Sequence, residues 1–267
     1  MLQSKVQEIT DKIKRVAMES GADIVGISSI DAIPDSVPPL PVTKVMPTAR
    51  TVVVFGIPMI RGSIESPSLH SAAISTHASY KELERISYAV SKYLERQGHR
   101  AAIVVPASPI EMSKETRGLL GDISLRHVAV GAGLGTIGKN RLLLTEKWGP
   151  RVRLGAIVTD APLFPDKPLQ DNLCDECDLC IQACPGQALS SNTLKDAIKC
   201  LNKQQMYGMA KHIQYWEKLI EAPVDRQKEM LRSPEYWNIY QAQSVMLFYT
   251  CYECLNSCPL GNTSATE

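Results

Sequence analysis

Eight cysteines are the residues of this sequence whose type and spacing most directly specify a chemistry. All of them lie between Cys174 and Cys258, and the first 173 residues contain none. A disulfide scaffold distributes its cysteines through a small secreted chain, whereas a dense cluster in a longer chain is typical of metal binding. The cysteines therefore predict metal centres held by thiolates in a reducing compartment.

The first cysteine motif runs Cys174-x2-Cys177-x2-Cys180-x3-Cys184-Pro185. Three thiolates separated by two residues each can reach three corners of one iron–sulfur cubane. In two-cluster ferredoxins, the cysteine that precedes the proline binds the other cluster. The motif therefore predicts two 4Fe-4S clusters and a function in electron transfer.

The second motif, Cys251-x2-Cys254-x3-Cys258-Pro259, has one cysteine fewer, and Cys200 supplies the missing thiolate. The expected ligands of one cluster are Cys174, Cys177, Cys180 and Cys258. The expected ligands of the other are Cys184, Cys200, Cys251 and Cys254. Zinc is the alternative metal, because it also takes four thiolates from such pairs. The long first motif favours iron–sulfur chemistry.

Apolar periodicity predicts a mixed α and β domain ahead of the cysteines. We expect helices over 5–20 and 79–97 and strands over 22–28, 51–57, 101–106 and 152–159. From Asp166 the composition changes to proline, acidic residues and cysteine. We therefore expect an α+β or α/β domain over 1–165, and a two-cluster domain over 166–267 with a helical insert at 201–250.

Charge and hydropathy exclude two classes of partner. The 267 residues carry a formal net charge of +1, whereas a nucleic-acid interface needs clustered Lys and Arg. The longest apolar stretch, 52–60, is too short to span a bilayer and contains Gly56 and Pro58. The N-terminal residues show neither an apolar export segment nor a twin-arginine pair. We therefore expect a cytoplasmic protein without a nucleic-acid or membrane partner.

A glycine-rich stretch precedes the cysteines. Gly133-x-Gly135-x-x-Gly138 follows an apolar run and matches the dinucleotide fingerprint, with Asp160 in the place of the ribose-binding acid. The helix expected after these glycines is short, because it must end by Trp148. A nicotinamide or flavin enzyme is therefore one alternative function.

The same stretch also forms part of a longer pattern. AGLGTIGKNRLLL at 132–144, GPR at 149–151 and TDAPL at 159–163, followed by the cysteines, resemble the epoxyqueuosine reductases and the corrinoid reductive dehalogenases. The resemblance covers 122–200 closely, together with 251–259. It implies a nitroreductase-like domain that holds cobalamin within 1–165, followed by a bacterial-ferredoxin-like module.

The resemblance also implies which residues contact the corrinoid. They are Gly133, Gly135, Gly138, Lys139, Asn140 and Tyr252. Glycines allow the backbone to approach a flat macrocycle closely, and Lys139 and Asn140 carry hydrogen-bond donors for its amide and phosphate oxygens. A solvated loop lysine is the alternative interpretation of Lys139.

The sequence departs from the epoxyqueuosine reductases at their acidic proton donor, because Pro106 occupies the corresponding position. Tyr80 and Glu111 flank this segment and are the candidate catalytic proton donors. His77 and His127 are the alternatives. The chain also lacks a basic character, and it ends eight residues after Pro259. We therefore do not expect a tRNA substrate.

These expectations combine into one principal function. It is a cytoplasmic iron–sulfur oxidoreductase that passes electrons through two 4Fe-4S clusters to cobalamin and reduces a small molecule. Reduced ferredoxin or flavodoxin is the expected electron donor, and the chain is expected to be a monomer or a homodimer. One alternative is an electron-transfer partner that reduces a separate corrinoid protein, and the other is a flavin- or NAD-linked reductase.

Overall fold

The computed structural model describes residues 2–33, 42–106, 119–191, 193–244 and 250–262. The elements before the cysteines are α1 Leu2–Glu19, β1 Ile24–Ser29, β2 Thr51–Pro58, α2 Arg61–Ile64, α3 Leu69–Arg96, β3 Ala101–Val104, α4 Leu125–Gly131, β4 Thr136–Ile137, β5 Leu143–Leu144 and β6 Val152–Thr159. The later elements are α5 Leu179–Gln182, α6 Leu194–Gln204, α7 Met209–Glu221, α8 Val224–Met230, α9 Pro234–Ser244 and α10 Glu253–Asn256.

Four strands form one antiparallel sheet in the order β1-β2-β6-β3. The two central strands, TVVVFGIP and VRLGAIVT, are the most apolar, because each is covered on both faces. Phe55 of β2 lies opposite Gly155 of β6, where a Cβ atom would come within 2.7 Å of the Phe55 ring. The α+β class is thus confirmed, and the sheet is antiparallel.

The sheet separates two hydrophobic cores. Alternate residues of β2 point to opposite faces, so Val53 and Phe55 pack with α1 and α3, while Val52 and Val54 pack with α4. The α1–α3 side contains fully buried Ile13, which lies on the apolar stripe of α1. All four predicted strands and both predicted helices are present.

Two local predictions need correction. Helix α3 begins at Leu69, ten residues before the predicted start, after Ser68 accepts a hydrogen bond from the Ser71 N–H as the N-cap. No helix follows Gly138; instead β4 and β5 form a short antiparallel hairpin there. The glycines therefore follow α4 and lead into strands, which is the reverse of the dinucleotide-binding order. The strand–glycine–helix order that a nicotinamide- or flavin-binding fingerprint requires is therefore not formed by these residues.

The segment between Cys200 and Cys251 is helical as predicted, with α6 to α9 over its described part. Tyr215 is buried and donates a hydrogen bond to the Met230 carbonyl, so it packs α7 against α8. Trp237 is half exposed. Across the described residues, no helix combines the length and apolar character needed to cross a bilayer.

Candidate functional site

Four cysteines line one cavity of about 290 Å³. They are Cys174, Cys177, Cys180 and Cys258. The first two precede α5, the third lies within it, and the fourth follows α10, which packs against α5. The cavity has roughly ten times the volume of one water molecule, about 30 Å³. Within the described ranges, no three His, Cys, Asp or Glu side chains converge on a single-ion position. The four cysteines therefore line an open cavity.

The first cysteine loop is shaped by its acidic residues. Glu176 and Asp178 have left-handed backbone conformations, with φ of +61° and +62°, which turn the chain between Cys174 and Cys180. The Asp175 carboxylate accepts a hydrogen bond from the Cys177 N–H at 3.2 Å. This local bonding favours the turn without any metal and directs the thiols inward.

The remaining four cysteines influence one another electrostatically. Burial, followed by the charges of Cys200, Cys251 and Cys184, raises the pKa of Cys254 to about 12. Desolvation by the surrounding protein, followed by the charges of Cys251 and Cys184, also raises the pKa of Cys200. The structure thus brings together the second predicted ligand set. A bound iron or zinc centre would hold such thiols as thiolates, because its positive charge offsets theirs.

Arg151, from the GPR segment, attaches the last cysteine to the sheet domain. It is 4% exposed, and its guanidinium donates hydrogen bonds to the carbonyls of Cys258 at 2.6 Å and Leu260 at 2.9 Å. Gly149 has a φ of +56°, and a side chain there would collide with the Leu260 carbonyl. The GPR segment therefore contacts and holds the residues that follow α10.

The three predicted corrinoid glycines make close contacts within the protein. A Cβ atom on Gly133 would collide with the Lys167 carbonyl, and one on Gly135 with the Leu144 carbonyl. A Cβ atom on Gly138 would lie 2.7 Å from the Leu144 side chain. These contacts account for the glycines by backbone packing, without a macrocycle.

Lys139 and Asn140 line the first cysteine cavity. The Lys139 ammonium lies 2.8 Å from an Asp178 carboxylate oxygen, and this hydrogen bond raises the pKa of Lys139. Asn140 is buried, and its side-chain oxygen accepts a hydrogen bond from the Leu142 N–H. Lys139 therefore supports the cysteine loop, and Asn140 stabilises its own turn; their predicted contact with a corrinoid stays a prediction.

A second cavity, of about 260 Å³, contains the predicted catalytic tyrosine. Tyr80 of α3 lines it together with Pro106, Arg126, Arg153 and Gln204. The Arg153 guanidinium carbon lies 5.4 Å from the centre of the Tyr80 ring. We call this space the Tyr80 cavity. Glu111, the other candidate donor, lies outside the described residues.

Tyr252 lies in the main core and lines neither cavity. Its hydroxyl shares a 2.9 Å hydrogen bond with Thr76 and donates one to the Ala72 carbonyl at 3.2 Å. Its position beside Cys251 thus serves to dock the second motif on α3. Its predicted contact with a cofactor stays a prediction.

The alternative polar candidates have local partners. His127 shares a 2.6 Å hydrogen bond with Ser124, and burial, followed by the charge of Arg126, lowers the pKa of His127. His77 is half-buried on α3. Asp160 accepts a hydrogen bond from the Arg100 N–H at 2.9 Å, which joins the end of β6 to the start of β3.

Sequence reasoning missed the three arginines of these sites. Arg126 and Arg153 line the Tyr80 cavity, and Arg151 holds the Cys258 segment. A signal was present, because Arg151 and Arg153 interrupt the start of an otherwise apolar central strand. A charged residue at such a position needs a specific partner. Arg126 offered no comparable signal on its short helix.

Comparison with known proteins finds two groups of relatives. A tetrachloroethene reductive dehalogenase of Desulfitobacterium hafniense is 34% identical over 145 residues, which cover 53% of this chain and 24% of the relative. An epoxyqueuosine reductase of Bacillus cereus is 41% identical over 81 residues, 30% of this chain and 21% of the relative. The matches thus span about a quarter of the relatives' length. No protein-family model matches the chain.

Solved structures show the same fold. The epoxyqueuosine reductase from Bacillus subtilis superposes with a TM-score of 0.58 at 19% identity. The superposition covers 96% of this chain and 66% of the reductase chain. A reductive dehalogenase, whose structure is described as suggesting a mechanism for B12-dependent dehalogenation, superposes with a TM-score of 0.56 at 19% identity. The superposition covers 87% of this chain and 35% of the dehalogenase chain. The chain is a distant homologue of both the epoxyqueuosine reductases and the reductive dehalogenases.

Proposed function

We propose that this protein is a reductase that passes single electrons through two 4Fe-4S clusters to a small molecule. The observation that carries the proposal is the grouping of the eight cysteines into two sets of four. Each set takes one cysteine from the other motif: Cys258 completes the first and Cys184 belongs to the second. This exchange is the arrangement of two-cluster ferredoxins.

The cavity geometry supports a cluster over a single zinc ion. A zinc ion draws four sulfurs to about 2.3 Å from one point. The four cysteines of the first set instead help to line a cavity of about 290 Å³, together with Lys139, which pairs with Asp178. A cytoplasmic location and a reduced ferredoxin or flavodoxin as electron donor are part of this proposal.

Tyr80 is the proposed proton donor to the reduced substrate. Two-electron reduction leaves a basic centre on the product, which takes up a proton from a group within hydrogen-bond reach. Tyr80 lies in the second cavity beside the Arg153 guanidinium, whose positive charge stabilises the phenolate formed when the proton leaves. Glu111 remains the alternative donor in this proposal.

Cobalamin enters the proposal through the relatives, one of which is described by its B12-dependent reaction. Of the residues predicted to hold it, Gly133 and Gly135 pack against the protein's own backbone, and Lys139 and Asn140 line the cysteine cavity. The Tyr80 cavity, at about 260 Å³, is below the range of about 300–1,000 Å³ that drug-sized ligands occupy. A corrinoid is larger than this cavity.

A second candidate function is an electron-transfer partner that reduces the cobalt of a separate corrinoid protein. Two observations favour it: Pro106 stands where the related enzymes have their acid, and the Tyr80 cavity, at about 260 Å³, is smaller than a corrinoid. Gel filtration with hydroxocobalamin separates the two. Retained corrinoid with a base-off cobalt EPR signal supports the enzyme; no retention together with rapid electron exchange with a corrinoid protein supports the partner.

The cluster assignment is tested by metal analysis of anaerobically purified protein. We expect about eight iron and about eight sulfide per chain. Cys200→Ala is expected to remove or degrade one cluster and to leave about four iron in the other, because Cys200 belongs to the second set only. Lys195→Ala, an exposed change on the same helix, is the matched control and should leave the iron content unchanged. Stoichiometric zinc without sulfide would contradict the proposal.

A further inference from the structure

The lining of the Tyr80 cavity combines aliphatic side chains with two arginines. Its polar side chains are Tyr80, Arg126, Arg153 and Gln204, and the other lining side chains are all leucine, valine or proline. Among the described residues that line it, none is acidic. We propose that the Tyr80 cavity binds a small molecule with a compact apolar body and one carboxylate, and that Arg126 binds the carboxylate.

Arg126 carries a positive charge that its surroundings do not neutralise. One of its guanidinium nitrogens donates a hydrogen bond to the Arg141 carbonyl, and within the described part of the chain no carboxylate forms an ion pair with it. Its side chain is exposed and lines the cavity. A bound carboxylate would accept charge-assisted hydrogen bonds from the guanidinium nitrogens that do not contact the Arg141 carbonyl.

Neighbouring Arg141 differs in having a partner of its own. Its guanidinium lies 3.3 Å from the buried Asp196 carboxylate. Its backbone is in the left-handed region, with a φ of +62°, and presents its carbonyl to Arg126. A strained backbone at a non-glycine residue persists where the surrounding structure requires it. Here it orients the guanidinium of Arg126 and leaves the rest of that group for a ligand.

The remaining lining defines the body of the ligand. A volume of about 260 Å³ suits a single ring or a short branched chain. Aliphatic walls such as Leu143 and Leu154 favour an apolar body, since burial of its surface is favourable. Gln204, at the end of α6, adds a neutral amide for one further hydrogen bond. An aromatic or branched aliphatic acid meets these requirements.

The assignment of this ligand as the substrate rests on the proposed reductase function. The binding itself does not, because it requires only the cavity and its arginine. The full chain is therefore titrated calorimetrically with matched acid and amide pairs, benzoate with benzamide and isobutyrate with isobutyramide. We expect at least one acid to bind roughly tenfold or more tightly than its amide, the range of a charge-assisted hydrogen bond.

Variants of Arg126 connect that preference to the proposed group. Arg126→Met should abolish the preference, and Arg126→Lys should retain part of it, because lysine keeps the charge but not the planar pair of donors. Arg96→Met, at an exposed position near the end of α3, should leave the preference unchanged. Equal affinity for acids and amides, binding of none of the acids, or a preference that survives in a folded Arg126→Met variant would each overturn the inference.

The anion could also come from the phosphate of a corrinoid, and hydroxocobalamin tests this source. The contrary result is displacement of the acid from the wild type by hydroxocobalamin, together with weaker binding of hydroxocobalamin to Arg126→Met. This result would show that Arg126 binds the corrinoid phosphate, and it would overturn the substrate assignment. Iron and sulfide contents of the same samples separate the two proposals. A chain with both clusters and no acid preference refutes this inference alone. A chain with the preference and no iron refutes the reductase function and leaves the binding site in place.

Discussion

At the scale of single residues, Arg151 shows how one buried cation determines the position of a cysteine. Its side chain binds the backbone carbonyls of Cys258 and Leu260. Its Nε atom is buried and has no hydrogen-bond partner among the described residues. The guanidinium thus depends on the residues that follow α10, and they depend on it. This mutual requirement connects the GPR segment to the last cysteine.

We expect Arg151→Met to lower the free energy of unfolding by about 3 kcal/mol, because the carbonyls of Cys258 and Leu260 would stay buried without donors. The measurement is anaerobic guanidinium denaturation followed by circular dichroism. Arg96→Met, the same exchange at an exposed position, should change stability by less than about 0.5 kcal/mol. Equal stability of the two variants would show that the Arg151 contacts contribute nothing.

At the scale of elements, helix α6 positions Cys200 through a carboxylate near its N-terminus. Thr193 is the N-cap and accepts a hydrogen bond from the Asp196 N–H. The buried Asp196 carboxylate accepts hydrogen bonds from the N–H and hydroxyl of Ser191, both at 2.8 Å, and pairs with Arg141. The carboxylate therefore joins α6 to the loop that follows β4.

These hydrogen bonds, the Ser191 N–H first, hold the pKa of Asp196 well below its ordinary value. A carboxyl group with a depressed folded-state pKa stabilises the fold above its unfolded pKa, about 3.9, and loses that contribution as the pH falls toward the folded value. Asp196→Asn should therefore lower the urea midpoint most above about pH 5, and the difference from wild type should shrink below about pH 4.

The control for this pH dependence is Asp225→Asn, because the Asp225 side chain is 99% exposed. Its urea midpoint should follow that of the wild type at each pH. A difference between Asp196→Asn and wild type that stays constant from about pH 3 to about pH 7 would contradict the assigned role of the carboxylate.

At the scale of the whole molecule, the second cysteine motif is packed into the core of the sheet domain. Tyr252 is 5% exposed and belongs to the same core as Phe55 and Leu83. Its hydroxyl reaches Thr76 on α3. The proposed boundary near residue 165 thus separates two sequence regions whose side chains share one hydrophobic core.

Tyr252→Ala is expected to lower the free energy of unfolding by about 3–5 kcal/mol, since it leaves a large cavity in that core. Tyr252→Phe removes only the hydroxyl and should cost about 1 kcal/mol. Tyr88 lies on α3 with 64% exposure, so Tyr88→Ala is the matched control, with a change below about 1 kcal/mol. Chemical denaturation measures all three. A small effect of Tyr252→Ala would mean that the motif unfolds independently of the core.

Much of the fold was predictable because its signals are local. Strand β2 is a continuous apolar run, and α1 has a regular stripe of apolar residues. The start of α3 was missed because its first turns contain serine, histidine and threonine, whose periodicity is weak, while the N-cap Ser68 sets the true boundary. The glycine stretch was misleading in the same way: the spacing of Gly133, Gly135 and Gly138 is local, but the carbonyls that require those glycines are not.

By itself, the sequence determined the α+β class, the cysteine-rich helical region that follows it, and the distant homology to epoxyqueuosine reductases and reductive dehalogenases. Motif spacing and periodicity encode these, since both act over a few neighbouring residues. Only the tertiary structure decided the antiparallel strand order and the packing of Tyr252 on α3. It also brought Tyr80, Arg126 and Gln204 to one cavity. Such contacts join residues far apart in the chain, and long-range packing leaves no periodic signal.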